Sequence, residues 1–92
     1  MDEDMALRVR VSGRVQGVWF RAWTRARAEE LGLRGWVRNE ADGSVSALIA
    51  GPGAAVAEML RDLHKGPDAA LVASVETTAA EAPMEVGFVI RR

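Results

Sequence analysis

The chain contains no cysteine, and that one absence removes disulfides, thiol catalysis and zinc–thiolate sites together. Its single histidine, His64, cannot build a metal centre alone, so no metal is expected. Neither sign of charge dominates. Twelve Lys and Arg against thirteen Asp and Glu leave a net charge of −1, so the overall balance calls for neither nucleic acid nor an anionic membrane, and any anion site must be local. Long apolar runs are missing too: no segment approaches the roughly 18 apolar residues of a membrane span. The acidic opening "MDEDMALRV" likewise lacks the apolar stretch of a secretion signal, and a cytoplasmic location is expected. What is present is ordinary for a globular domain, with 49% hydrophobic and 27% charged residues. A chain of 92 residues makes one core, expected to span residues 1–92 as one domain.

Residues 7–13 place Leu7, Val9 and Val11 in alternation with Arg8, Arg10 and Ser12, the period of a half-buried strand. From about residue 21 to 31 the composition turns helical, with Phe20, Thr24, Ala28 and Leu31 on one stripe and Gly32 as terminator. Two strand-like runs, 33–39 and 44–51, flank an Asp42-Gly43 turn and read as a hairpin. Val56, Met59, Leu60 and Leu63 then recur at helical spacing until the Lys-Gly-Pro run at 65–67, and strands are expected at 70–78 and, after Pro83, at 85–92. The order is βαββαβ with one strand added at the C-terminus. This predicts an α+β, ferredoxin-like sandwich: a mainly antiparallel sheet with two helices on one face.

That topology locates a site. Strands one and two are joined through a crossover helix, so they run the same way and their carboxyl ends share one sheet edge. The stretch "GRVQGVWFR" (13–21) and the stretch "RNEADG" (38–43) converge there. The first feeds a helix N-terminus, whose unsatisfied amides and positive dipole end favour an anion such as phosphate. Gly17 lets the backbone curl so that successive N–H groups point inward, and Arg21 on the first turn can add a two-pronged contact. The loop alone leaves the ligand open, since many strand-to-helix turns carry Gly and Arg and bind nothing.

Taken together, "GRVQGVWFR" (13–21) and "GWVRNEADGSV" (35–45), with "GPG" before the second helix, "LHKGPDA" after it and the closing "GFVIRR", resemble the acylphosphatase family over almost the whole chain. The resemblance implies hydrolysis of a carboxyl–phosphate mixed anhydride to carboxylate and phosphate, with a small acyl phosphate as substrate and no cofactor. It implies that Arg21 and Asn39 are the catalytic pair and that Val15, Gln16, Gly17, Val18, Trp19 and Phe20 form the phosphate cradle. A monomer is expected, bound to neither nucleic acid nor membrane. Two residues depart from the family pattern. Trp19 stands where glycine is frequent; a bulky side chain tolerates positive φ poorly, so an ordinary backbone region and an indole turned away from the phosphate are expected. Ser46 replaces a common acidic residue, at a strand position expected to be exposed.

Three further readings complete the sequence picture. His64 reads as a solvated helix-end residue and not as a general base. Trp36 is expected in the core or at the boundary beneath the site, Trp23 as a helix–surface contact, and Arg25, Arg27, Glu29 and Glu30 as a solvated helix face. The alternatives to catalysis are a non-catalytic module binding phosphate or acyl phosphate, and an RNA-binding domain of the same βαββαβ order. Strands one and three lack the aromatics on which such domains stack bases.

Overall fold

The computed structural model of the chain describes residues 3–92. The alternating run of the first strand becomes β1 (Asp4–Arg14), followed by α1 (Phe20–Glu30), β2 (Arg34–Asn39), β3 (Val45–Pro52), α2 (Gly53–Lys65), β4 (Leu71–Ala79) and β5 (Phe88–Ile90). The sheet order is β4-β1-β3-β2-β5. All neighbours are antiparallel except β2 and β5, which run parallel with Val37 opposite Ile90. Among the described residues no helix is long and apolar enough to cross a membrane.

The period-two pattern decides which face is covered. Val9, Val11, Val37, Val45, Ala47 and Ile49 all turn to one side and are almost wholly buried against Phe20 and Ala28 of α1 and Val56, Met59 and Leu63 of α2. Each large aliphatic side chain so covered contributes roughly 1.5–3 kcal/mol. Both helices therefore sit on one face, as the sequence predicts. They are clamped to each other by Arg27, whose Nε donates to Asp62 at 2.5 Å and whose Nη2 donates to Glu58 at 2.5 Å. Asp62 above all pushes this guanidinium's pKa further up. Arg27 is thus a bridge between helices, not the solvated position expected of it. Trp23 does pack at the helix surface, edge-on to Phe20 at 5.5 Å between ring centroids.

The other face has no second layer, and there two expectations fail. Trp36 pairs with Leu48, and Arg38 with Ser46, on the side away from the helices. Trp36 is only 7% exposed because three guanidinium groups cover it: Arg8 and Arg38 at 4.9 Å and Arg91 at 5.0 Å from the ring. It neither joins the core nor underlies the site; cation–π contacts and the arginine stems enclose it. Ser46 is buried for the same reason, since the long side chains of its neighbours on this face close over a small residue. The final strand is also shorter than the expected 85–92. Gly87 adopts φ 90°, which interrupts the extended run, and Val86 is left exposed.

Gly13 marks the other place where backbone geometry decides the residue. Its φ is 124°, and a Cβ built there would lie 2.2 Å from the Leu71 carbonyl oxygen, where the β1–β4 register shifts. Gly13→Ala is expected to destabilise the fold by at least about 1–3 kcal/mol. The measurement is a lowered urea midpoint at unchanged m value.

Candidate active site

Between β1 and α1 the chain must leave one strand and begin a helix within five residues. Gly17 (φ 75°) and Trp19 (φ 65°, ψ 21°) both lie in the left-handed region, with Val18 between them at negative φ. Alternation of this kind turns successive N–H groups to one side, which forms an anion-binding nest. The expectation for Trp19 is overturned. The loop's tight entry into α1 fixes the backbone of its N-cap residue, and this requirement outweighs the indole's aversion to positive φ. The residue lines the same cavity as Arg21 and Asn39 and is 83% exposed.

The helix that follows has no side chain capping its N-terminus and no acidic residue in its first turn. Its amides and dipole are thus unopposed by a carboxylate. Arg21 stands in that first turn, half-buried, and forms no ion pair among the described residues. Asn39 reaches the same place from β2. It lies two residues beyond Val37, so the strand period puts it on the helix-covered face, at the strand's carboxyl end.

Val15, Gly17, Trp19, Phe20, Arg21, Ala22, Asn39 and Ile90 line one cavity of about 490 Å³, a size typical of small-molecule sites, which occupy roughly 300–1,000 Å³. Of the expected cradle residues, Val15, Val18 and Phe20 bury their side chains in the core, which leaves their backbone to face a ligand. Gln16 and Val18 are not among the lining residues. The Gln16 amide instead donates to the carbonyl oxygens of Glu40 at 2.8 Å and Ser44 at 2.9 Å, tying the loop to the hairpin turn that follows Asn39. That turn is held by Asp42, which accepts hydrogen bonds from the Ser44 amide and hydroxyl and pairs with Arg10. The loop and the turn are therefore one unit.

Sequence reasoning missed two contributors. Ile90 arrives because β5 lies parallel to β2, and Ala22 because it follows Arg21 on the first turn; the strand period of the C-terminal run was the only signal for the former. Among the described residues no carboxylate lines the cavity. Glu40 follows Asn39 but faces the open side of the sheet, where the Arg38 hydrogen bond at 2.8 Å, with help from Ser46, holds its carboxyl below the usual range. His64 is exposed on α2, its Nδ1 2.8 Å from the Leu60 carbonyl oxygen, and it does not line the cavity either. No group of three or more His, Asp or Glu among the described residues is arranged to hold a metal ion.

Known proteins show the same chain and fold. The acylphosphatase family model matches residues 7–90. An acylphosphatase of Rhizobium meliloti (strain 1021) is 62% identical over 87 residues, covering 91% of this chain and 90% of that one. Among solved structures, an acylphosphatase from Coxiella burnetii superimposes with a TM-score of 0.91 at 35% identity, covering 96% of this chain and 93% of the other. One from Bacillus subtilis gives 0.90 at 31% identity, covering 96% and 99%. With sequence and architecture agreeing over nearly the full length, the chain belongs to the acylphosphatase family.

Proposed function

We propose that this enzyme hydrolyses acyl phosphates, with the phosphoryl group held by Arg21 and the amides of the 15–20 loop and the attacking water held by Asn39. The observation that carries the reading is the convergence, in one cavity, of an arginine without a carboxylate partner, an uncapped helix N-terminus and a neutral amide. Breaking a carboxyl–phosphate anhydride expels a carboxylate, a weak base that leaves without being protonated. The transition state is loose and spreads charge over the phosphoryl oxygens, so positioning and electrostatic stabilisation do most of the catalysis. Arg21 supplies both: its planar fork matches two phosphoryl oxygens. Asn39 cannot accept a proton at neutral pH, but its amide can orient a water in line with the bond that breaks. The water's proton then passes to a phosphoryl oxygen of the substrate. Such a scheme needs no general base, in keeping with a cavity free of carboxylate and imidazole.

This assignment makes a pH prediction. Arg stays charged and Asn neutral across the physiological range, so kcat for benzoyl phosphate is expected to vary by less than about threefold between pH 6 and 8. His64→Ala should retain full activity, since the imidazole is outside the cavity. An inflection near pH 6.5 that disappears in His64→Ala would replace this scheme with histidine catalysis. The assay itself, hydrolysis of benzoyl phosphate with EDTA present, tests the reading as a whole.

We also propose that the enzyme acts as a cytoplasmic monomer, without metal or nucleic acid. Trp36 lies beneath three arginines and is not presented for base stacking, which supports a function without RNA.

A further inference from the structure

The most exposed aromatic side chain of the protein belongs to the site. Trp19 is 83% exposed, while Trp36 and Phe20 are almost wholly buried. It is also the only non-glycine residue with positive φ among those described. A glycine would hold this backbone without strain, and any smaller residue would expose less apolar surface to water. The indole therefore sits where neither packing nor backbone geometry requires it.

Its surroundings identify what it meets. If the phosphoryl group occupies the loop amides and Arg21, the acyl group must extend along the remaining wall of the cavity, where Trp19, Ala22 and Ile90 are the exposed lining residues. That wall is largely apolar, the indole N–H of Trp19 being its only hydrogen-bonding side-chain group and no acceptor being present for a carbamoyl or hydroxyacyl group. We propose that Trp19 is a specificity-determining residue whose indole receives the acyl portion of the substrate and selects flat, apolar acyl phosphates over small ones. The inference rests on the acylphosphatase reading of the same cavity and adds the substrate class. Trp19 contributes to phosphate binding only through its N–H, which any replacement but proline keeps, so acyl selection and phosphate binding are separable.

The experiment compares benzoyl phosphate with acetyl phosphate in the unmodified enzyme, Trp19→Gly and Trp19→Phe. The ratio of kcat/KM for benzoyl over acetyl phosphate is expected to fall about tenfold in Trp19→Gly, mainly through KM for benzoyl phosphate. Trp19→Phe should restore most of it. An unchanged ratio, with both substrates slowed alike, would show that Trp19 serves only loop geometry and overturn the proposal. A second measurement removes its dependence on turnover: calorimetric binding of benzylphosphonate and methylphosphonate, in which the preference for the benzyl compound should shrink by a similar factor in Trp19→Gly. Equal weakening of both ligands sinks the proposal even if the enzyme hydrolyses neither substrate. Absence of turnover alongside selective phosphonate binding instead counts against the hydrolase reading and leaves the indole's role standing.

Discussion

Arg21→Ala is expected to lower kcat/KM for benzoyl phosphate by roughly 10² to 10⁴. Each charge-assisted hydrogen bond contributes about 1.5–3 kcal/mol, and the guanidinium can make two, so about 3–6 kcal/mol of transition-state stabilisation is removed; every 1.36 kcal/mol is about a factor of ten. Both KM and kcat suffer, because the phosphoryl oxygens are charged in the substrate and more so in the transition state. The fold should not suffer. Arg21 has no ion pair to lose, so its urea midpoint should stay within about 0.5 kcal/mol of the unmodified protein's stability. Arg21→Lys keeps the charge but presents a single point in place of a fork, and falls between the two. An Arg21→Ala protein that is folded and retains more than a tenth of the activity refutes the assignment.

Asn39→Ala is expected to separate chemistry from binding. In the proposed scheme its amide acts on the water and not on the phosphoryl group, so kcat should fall on the order of 10² to 10³, comparable to removal of one preorganised donor, while KM changes only a few-fold. Asn39→Asp gives the sharper comparison. If the residue's task were to take a proton, the carboxylate would do it better; if its task is to orient water, a negative charge beside phosphoryl oxygens will repel the substrate and the variant will be inactive. Steady-state kinetics on the three proteins therefore distinguishes an orienting amide from a base.

Most of the architecture could be read from the chain because the local signals agreed. In β1 the alternation of valine and arginine specifies a buried and an open face, and Gly32 and the Lys65-Gly66-Pro67 run stop the two helices where the stripes of apolar residues end. The crossover topology by itself brings Arg21 and Asn39 to one edge. What could not be read depended on neighbours distant in sequence. Local preference argued for an ordinary φ at Trp19, and the loop's path into α1 outweighed it. Arg27 carries nothing that tells it apart from Arg25 on a helix exterior; only the approach of α2 with Glu58 and Asp62 makes it a clamp. Ser46 is buried where the sequence suggests exposure because arginine stems cover a sheet face without helices, and Trp36 is buried as expected but on that face and not beneath the site, since the strand period sets its side and only the distant Arg8 and Arg91 close over it. The cavity's Ile90 required the parallel pairing of β5 with β2.

The sheet order has a consequence for how the site comes into being. Because β3 lies between β1 and β2, the strand that leads to Arg21 and the strand that ends in Asn39 do not pair with each other, and within the sheet their relative register is set through hydrogen bonds to the same intervening strand. A nascent chain that has made β1, α1 and β2 holds both chemical groups, and the Gln16 bond to the Glu40 carbonyl, but lacks the strand that sets their register in the sheet. The hairpin's second strand must slot into the gap before Arg21 and Asn39 can face each other, a non-local closure of the kind that slows folding. In the proposed scheme, which needs Arg21 and Asn39 together, turnover is expected to appear only once that strand is in place, so activity becomes a reporter of complete assembly.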